Sequence, residues 1–162
     1  MTHLSRSSTF WLLNRVALVG ICLLLSGMSS AQTTKKSGGE DEPVFLEYRG
    51  VQIGWLADDV RKKLGVPADK GDEQDFYKFS DNETCQVLYD KATRKVTAIS
   101  IDFSNGANAV ITPQQVFGAD FETKADGTKY KLVRYPKAGY WVSYYRGSGN
   151  TPSITITMQK MQ

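Results

Sequence analysis

Apolar positions recur along this chain at a nearly fixed offset. Val60 and Val116, Phe76 and Leu132, and Tyr89 and Tyr145 are each 56 residues apart, and Ile99 and Ile154 are 55 apart. Gly65 and Gly118, at 53, break step because the second helical run is shorter. Such a regular offset reads as one supersecondary unit written twice. It predicts repeats at about 51–103 and 110–159.

Each predicted copy has the same order. In "VQIGWLADDVRKKLGVP", Leu56, Val60 and Leu64 fall at i, i+4 and i+8, one stripe of a helix. Asp58 and Asp59 open that helix and Arg61, Lys62 and Lys63 close it, complementing its dipole, before Gly65 and Pro67 stop it. Three strand-like runs follow: "DFYKFS", "TCQVLYD" and "KVTAISIDF". After "SNGANAVI", Thr112 with Pro113 and Gln115 makes a capping-box start that Gly118 ends. "YKLVRY", "YWVSYY" and "PSITITMQ" come next. The expected fold class is α+β: two tandem helix-plus-three-strand antiparallel repeats, both helices on one face of a sheet and the other face open.

The first 31 residues read as a secretory signal, with Arg6 and Arg15 ahead of or beside an apolar run from Val16 to Leu25 and small Ser29 and Ala31 before a cut. That run is too short for a bilayer, which needs ~20 apolar residues, and the bulky Ile21 before Cys22 is a poor lipid-attachment context. Removing the signal takes Arg6 and Arg15 from the 20 Lys+Arg and leaves 18 against 17 Asp+Glu, a net charge of +1. A near-neutral domain without a lysine cluster does not point to nucleic acid. Residues 32–43 hold no apolar side chain and read as a flexible tether. Residues 44–162 then form a single domain, in which Cys85 alternates with Val87 and Tyr89 as a small buried strand residue. The expected location is exported and soluble, periplasmic or secreted, with no stable membrane insertion after cleavage.

"VQIGWLADDVRKKLGVP", "FYKF" and "KVTAISIDF" together resemble the motif of the SmpA/OmlA (BamE-like) outer-membrane assembly lipoproteins. Doubling of that unit behind a secretion signal resembles the β-lactamase inhibitory proteins. The resemblance implies helices on one face of a shared sheet and an open, saddle-like face that grips a protein. The lipobox of the first group and the paired cysteines of the second are both absent.

Chemistry by imidazole is excluded from the mature chain, because its only histidine is His3, inside the signal. No CxxC, GxGxxG or GxxxxGK[ST] occurs. Asp58 and Asp59 diverge on their helix, and "DKGDEQD" (Asp69 to Asp75) lacks calcium-loop spacing and reads as a solvated loop. No cofactor and no metal are expected.

The aromatic content points elsewhere. In "YWVSYY", Trp141, Ser143 and Tyr145 share one face and Tyr140, Val142 and Tyr144 the other. With Val142 and Val87 facing the helices, the open face receives Trp141, Tyr145, Phe76, Lys78, Leu88, Arg134 and Leu132, beside Gln86, Thr155 and Thr157. Large amphipathic rings with a few cations, set on small residues, have the composition of a protein-binding hot spot. The expected function is an exported, non-catalytic protein-binding module, inhibitor-like or envelope-assembly-like, with a protein partner. The alternatives are a carboxylate-based envelope hydrolase using Asp102 or Glu122, and a structural domain that pairs with a second copy. A cover for the rings, from another copy or from Val44 to Tyr48, is the competing account of the same residues.

Overall fold

The structure, a computed structural model, describes residues 42–104 and 110–162. The expected signal, Cys22, nearly all of the tether and part of "SNGANAVI" lie outside the described residues. Among the described residues the first helix or strand is helix α1 (Ala57–Leu64), followed by strands β1 (Asp69–Lys70), β2 (Gln74–Ser80), β3 (Glu83–Tyr89) and β4 (Val96–Phe103). Helix α2 (Pro113–Phe117) precedes β5 (Lys129–Tyr135), β6 (Tyr140–Arg146) and β7 (Ile154–Lys160). All seven strands join one antiparallel sheet in the order β1-β2-β3-β4-β7-β6-β5.

This architecture corrects the expected fold class. The described residues form mainly one seven-stranded antiparallel sheet with two short helices of eight and five residues, not a pair of helix-plus-three-strand repeats. A fixed offset between strands is what two successive meanders of similar strand and turn length produce, and it carries no helical layer with it. The first half also holds an extra strand, β1, whose Asp69 and Lys70 pair with Phe76 and Asp75.

Much of the cover over the sheet is irregular chain. Phe45, Tyr48 and Val51 are buried in the core, with Ile53 and Trp55 packed against it, and none of them is helical. On the other half, Phe121 lies beyond α2 and meets Phe117 and Tyr144 edge-to-face, with centroids 5.9 Å apart in both contacts. Within α1 the buried residues are Ala57 and Val60, while Leu56 is the N-cap residue and is exposed. The stripe therefore starts at Ala57, not at Leu56. Gly65 and Gly118 end the helices at positive φ, 88° and 76°, where a Cβ would be strained.

Alternation along the strands sorts the sheet into two faces. Tyr77, Cys85, Val87, Ile99, Ile101, Val142, Tyr144, Ile156 and Met158 are buried on the covered face. The seam between the two halves is the β4–β7 ladder, where Ile101 opposes Ile156 and Ile99 opposes Met158. The register shifts between Lys78 and Ser80 in β2 and again between Leu88 and Tyr89, where Tyr89 pairs with Val96, so Val96 joins the core instead of the wetter face.

A buried carboxylate anchors α1 to β2. Asp75 is fully buried and accepts hydrogen bonds from Arg61 Nε at 2.8 Å, Arg61 Nη2 at 2.9 Å and Tyr89 Oη at 2.8 Å. Burial alone would raise its pKa, but the Arg61 and Tyr89 hydrogen bonds and the guanidinium charge outweigh it and hold the carboxyl below its ordinary value. At the other end of β2, Glu83 accepts from Arg49 and Tyr48, and the Arg49 guanidinium lies 4.1 Å from the centre of the Phe79 ring.

Candidate functional site

The face opposite the core is built by the alternate residues of six strands. Register places them in three rows. One row runs Gln74, Leu88, Ala98, Gln159, Trp141, Arg134. The next runs Phe76, Gln86, Ser100, Thr157, Ser143, Leu132, and the third runs Lys78, Thr84, Asp102, Thr155, Tyr145, Tyr130. All seven residues expected on the open face share it. Phe76, Lys78 and Leu88 stand on one flank and Trp141, Tyr145, Leu132 and Arg134 on the other, which places the named residues in two groups. Leu88 and Trp141 occupy the same row three strand spacings apart, about 14 Å.

Small residues line the middle of this face. Ser100, Thr157 and Ser143 sit between the flanks in one row, and Asp102 and Thr155 in another. The hydroxyls of Ser100 and Thr157 lie 3.4 Å apart, and Thr155 Oγ1 donates to Asp102 Oδ1 at 2.6 Å. These bonds satisfy the polar floor locally. The larger side chains on either flank therefore rise above it.

Of the described residues on this face only Ala98 is buried. Trp141, Phe76, Leu88 and Leu132 are half-buried, Lys78 and Arg134 are exposed, and Tyr145 and Tyr130 are 42% and 47% exposed. The Val44 to Tyr48 segment does not cover the rings: Phe45 and Tyr48 are in the core on the other side, and Phe45 O accepts from Tyr140 Oη at 3.3 Å. Exposed rings beside small hydroxyl residues give a surface that can bury apolar area on contact while keeping hydrogen-bonding groups at hand. Lys78 is engaged by Asp81 at 2.8 Å, which holds the Asp81 carboxyl below its usual range.

Two residues of consequence escaped the sequence reading. Tyr130 lies directly opposite Tyr145 and belongs to the same face; its alternation with Leu132 and Arg134 was the available signal. Asp75 stands at the end of an acidic stretch that by sequence reads as a solvated loop, yet it is the most enclosed carboxylate of the described chain. Only its alternation with Tyr77 and Phe79 in β2 hinted at a core position.

The carboxylates considered for hydrolysis fall in separate places. Asp102 stands on the open face, bonded to Thr155. Glu122 is exposed in the stretch between α2 and β5, next to Phe121, which packs on the covered side. Among the described residues no cluster of three His, Cys, Asp or Glu side chains could hold a metal ion. Among them, too, no helix is long and apolar enough to cross a membrane.

Comparison with protein-family models, with curated proteins and with solved structures finds no match for this chain.

Proposed function

We propose that this chain is an exported, non-catalytic module that binds a protein partner through the uncovered face of its sheet. The observation that carries this reading is the three-row surface itself, in which Trp141, Tyr145, Tyr130, Leu132, Phe76 and Leu88 rise on both sides of a Ser/Thr floor and only Ala98 is buried. The sequence supports export through its leader, and it supports a non-catalytic role because no histidine follows His3. An inhibitor-like or envelope-assembly-like role fits a rigid face of this kind, because strands fix the positions of the anchors before contact and reduce the ordering cost of binding.

Affinity capture from envelope extract with residues 32–162, followed by titration of the captured protein, tests the reading. Aromatic anchors of a hot spot cost about 2 kcal/mol or more each on truncation. Trp141→Ala and Tyr145→Ala together are expected to weaken binding at least a hundredfold while the fold persists. Unchanged affinity in the double variant rejects the face. A concentration-dependent dimer abolished by the same changes transfers the face to self-association.

A further inference from the structure

A second feature lies on the covered side, at the end of the sheet where β5, β6 and β7 meet the chain leading into α2. Eight residues line a pocket of about 380 Å³, among them Ile111, Thr112, Lys129, Tyr144, Arg146 and Ile154. That volume is in the range of small-molecule sites.

Its polar groups are unusually placed. Lys129 and Arg146 are direct cross-strand partners, a pairing of like charges that destabilises a sheet unless something compensates it. Lys129 has its compensation, since Asp120 accepts from its Nζ at 2.9 and 3.1 Å. Arg146 has none: it is half-buried and has no hydrogen-bond or ion-pair partner among the described residues. A guanidinium part-way out of water and without an acceptor is a donor set awaiting an anion.

Tyr144 points the same way. Its side chain is 1% exposed, its ring is held edge-to-face by Phe121, and its hydroxyl has no hydrogen-bond partner among the described residues. No fully buried side-chain oxygen of the described chain lacks a partner, so this hydroxyl reaches accessible space. Tyr144 also lines the pocket. The surroundings also limit the charge of a ligand. Lys129 is paired with Asp120, whose carboxylate opposes a dianion, so among the lining residues Arg146 is the cation without an acidic partner; Lys131, opposite Tyr144, lies over the Phe117 and Phe121 rings.

We propose that this pocket binds a carboxylate attached to an apolar body, with Arg146 gripping the carboxylate, the Tyr144 hydroxyl donating to it, and Ile111 and Ile154 covering the body. The same chemistry is offered by a free branched-chain acid and by the last residue of a peptide with a free C-terminus. The site is on the opposite side of the sheet from the aromatic face and stands independently of the function proposed above.

Calorimetric titration tests it, using 4-methylpentanoate, 4-methylpentanamide, and a tripeptide ending in Leu with either a free or an amidated terminus. Saturable binding of a carboxylate probe is expected, with the matching amide at least about tenfold weaker, the size of a charge-assisted hydrogen bond. Arg146→Gln is expected to weaken the carboxylate about tenfold or more and Tyr144→Phe several-fold, whereas Arg134→Gln, on the other face, leaves it unchanged. Tyr144→Phe retains the packed ring, so its loss of affinity is separable from loss of folding, which a melting curve of each variant checks. Tighter binding of the free-terminus tripeptide than of the free acid assigns the site to chain ends, and the reverse order assigns it to free acids. No saturable binding of either carboxylate, equal binding of acid and amide, or full affinity in Arg146→Gln overturns the proposal.

Discussion

Asp75 shows what a single enclosed charge contributes. With Arg61 forked onto both oxygens and Tyr89 donating to one of them, the carboxylate is favoured in its ionised form. A carboxyl whose folded pKa is depressed stabilises the fold above its unfolded value and loses that contribution as pH falls through the folded one. Chemical denaturation between pH 7 and pH 2 is therefore expected to show a loss of stability that begins near 3.8, the ordinary Asp value, and continues below it. Asp75→Ala leaves Arg61 only the Gly71 carbonyl and the exposed Asp58 as acceptors and is expected to cost about 3 kcal/mol at neutral pH, with a flatter acid limb. Cys85 is a second residue-scale case: it is buried, and burial first, with Asp102 nearby, pushes its thiol up to about 12. A thiol reagent at pH 8 is expected to label it only at the rate of global opening, and fast labelling in native conditions contradicts the packing. The sequence showed Cys85 plainly, because its neighbours alternate. It hid Asp75, because an acidic side chain among Asp69, Asp72 and Glu73 reads as solvated until the fold brings Arg61 and Tyr89 to it.

At the level of elements, strands were far more legible than helices. Six of the seven strands begin and end within one or two residues of runs visible in the sequence, since period-two alternation marks a half-buried strand directly. β1 was not visible, because two residues carry no period. The helical readings overreached: α1 and α2 are real but are outweighed as cover by Phe45, Tyr48, Val51 and Phe121, which irregular chain delivers. The capping box of α2 was legible, and it forms. Gln115 N donates to Thr112 Oγ1, and Thr112 N donates to Gln115 Oε1 at 2.8 Å. Thr112→Ala removes the side-chain acceptor and is expected to cost about 1 kcal/mol in denaturant titration. Gly118→Ala is expected to cost about 1 kcal/mol or more, because φ is 76° there and an added Cβ meets Val44 Cγ2 at 3.4 Å.

For the whole molecule, the allocation of residues to the two faces of the sheet was the most consequential reading, and it was legible because one buried Val in each half fixes the parity of every neighbouring strand. The separation of the aromatic residues into two flanks was not legible, since it depends on β4 pairing with β7, which no local pattern announces. The two faces should behave differently on mutation. Val142→Ala or Ile156→Ala, both fully buried, is expected to cost about 2–4 kcal/mol in denaturant titration. Trp141→Ala and Tyr145→Ala on the uncovered face are expected to cost about 1 kcal/mol or less each. Similar losses from both faces contradict the assignment of the core.

The strand order also governs when this protein can fold. β7 is the last of the described strands in chain order, yet it occupies the interior of the sheet between β4 and β6. A nascent chain lacking it holds two half-sheets with raw edges and no seam, which cannot close until translation delivers Ile154–Lys160. Synthesis thus leaves the sheet without its central seam until Ile154–Lys160 emerges, and the early strands wait with an open edge until then.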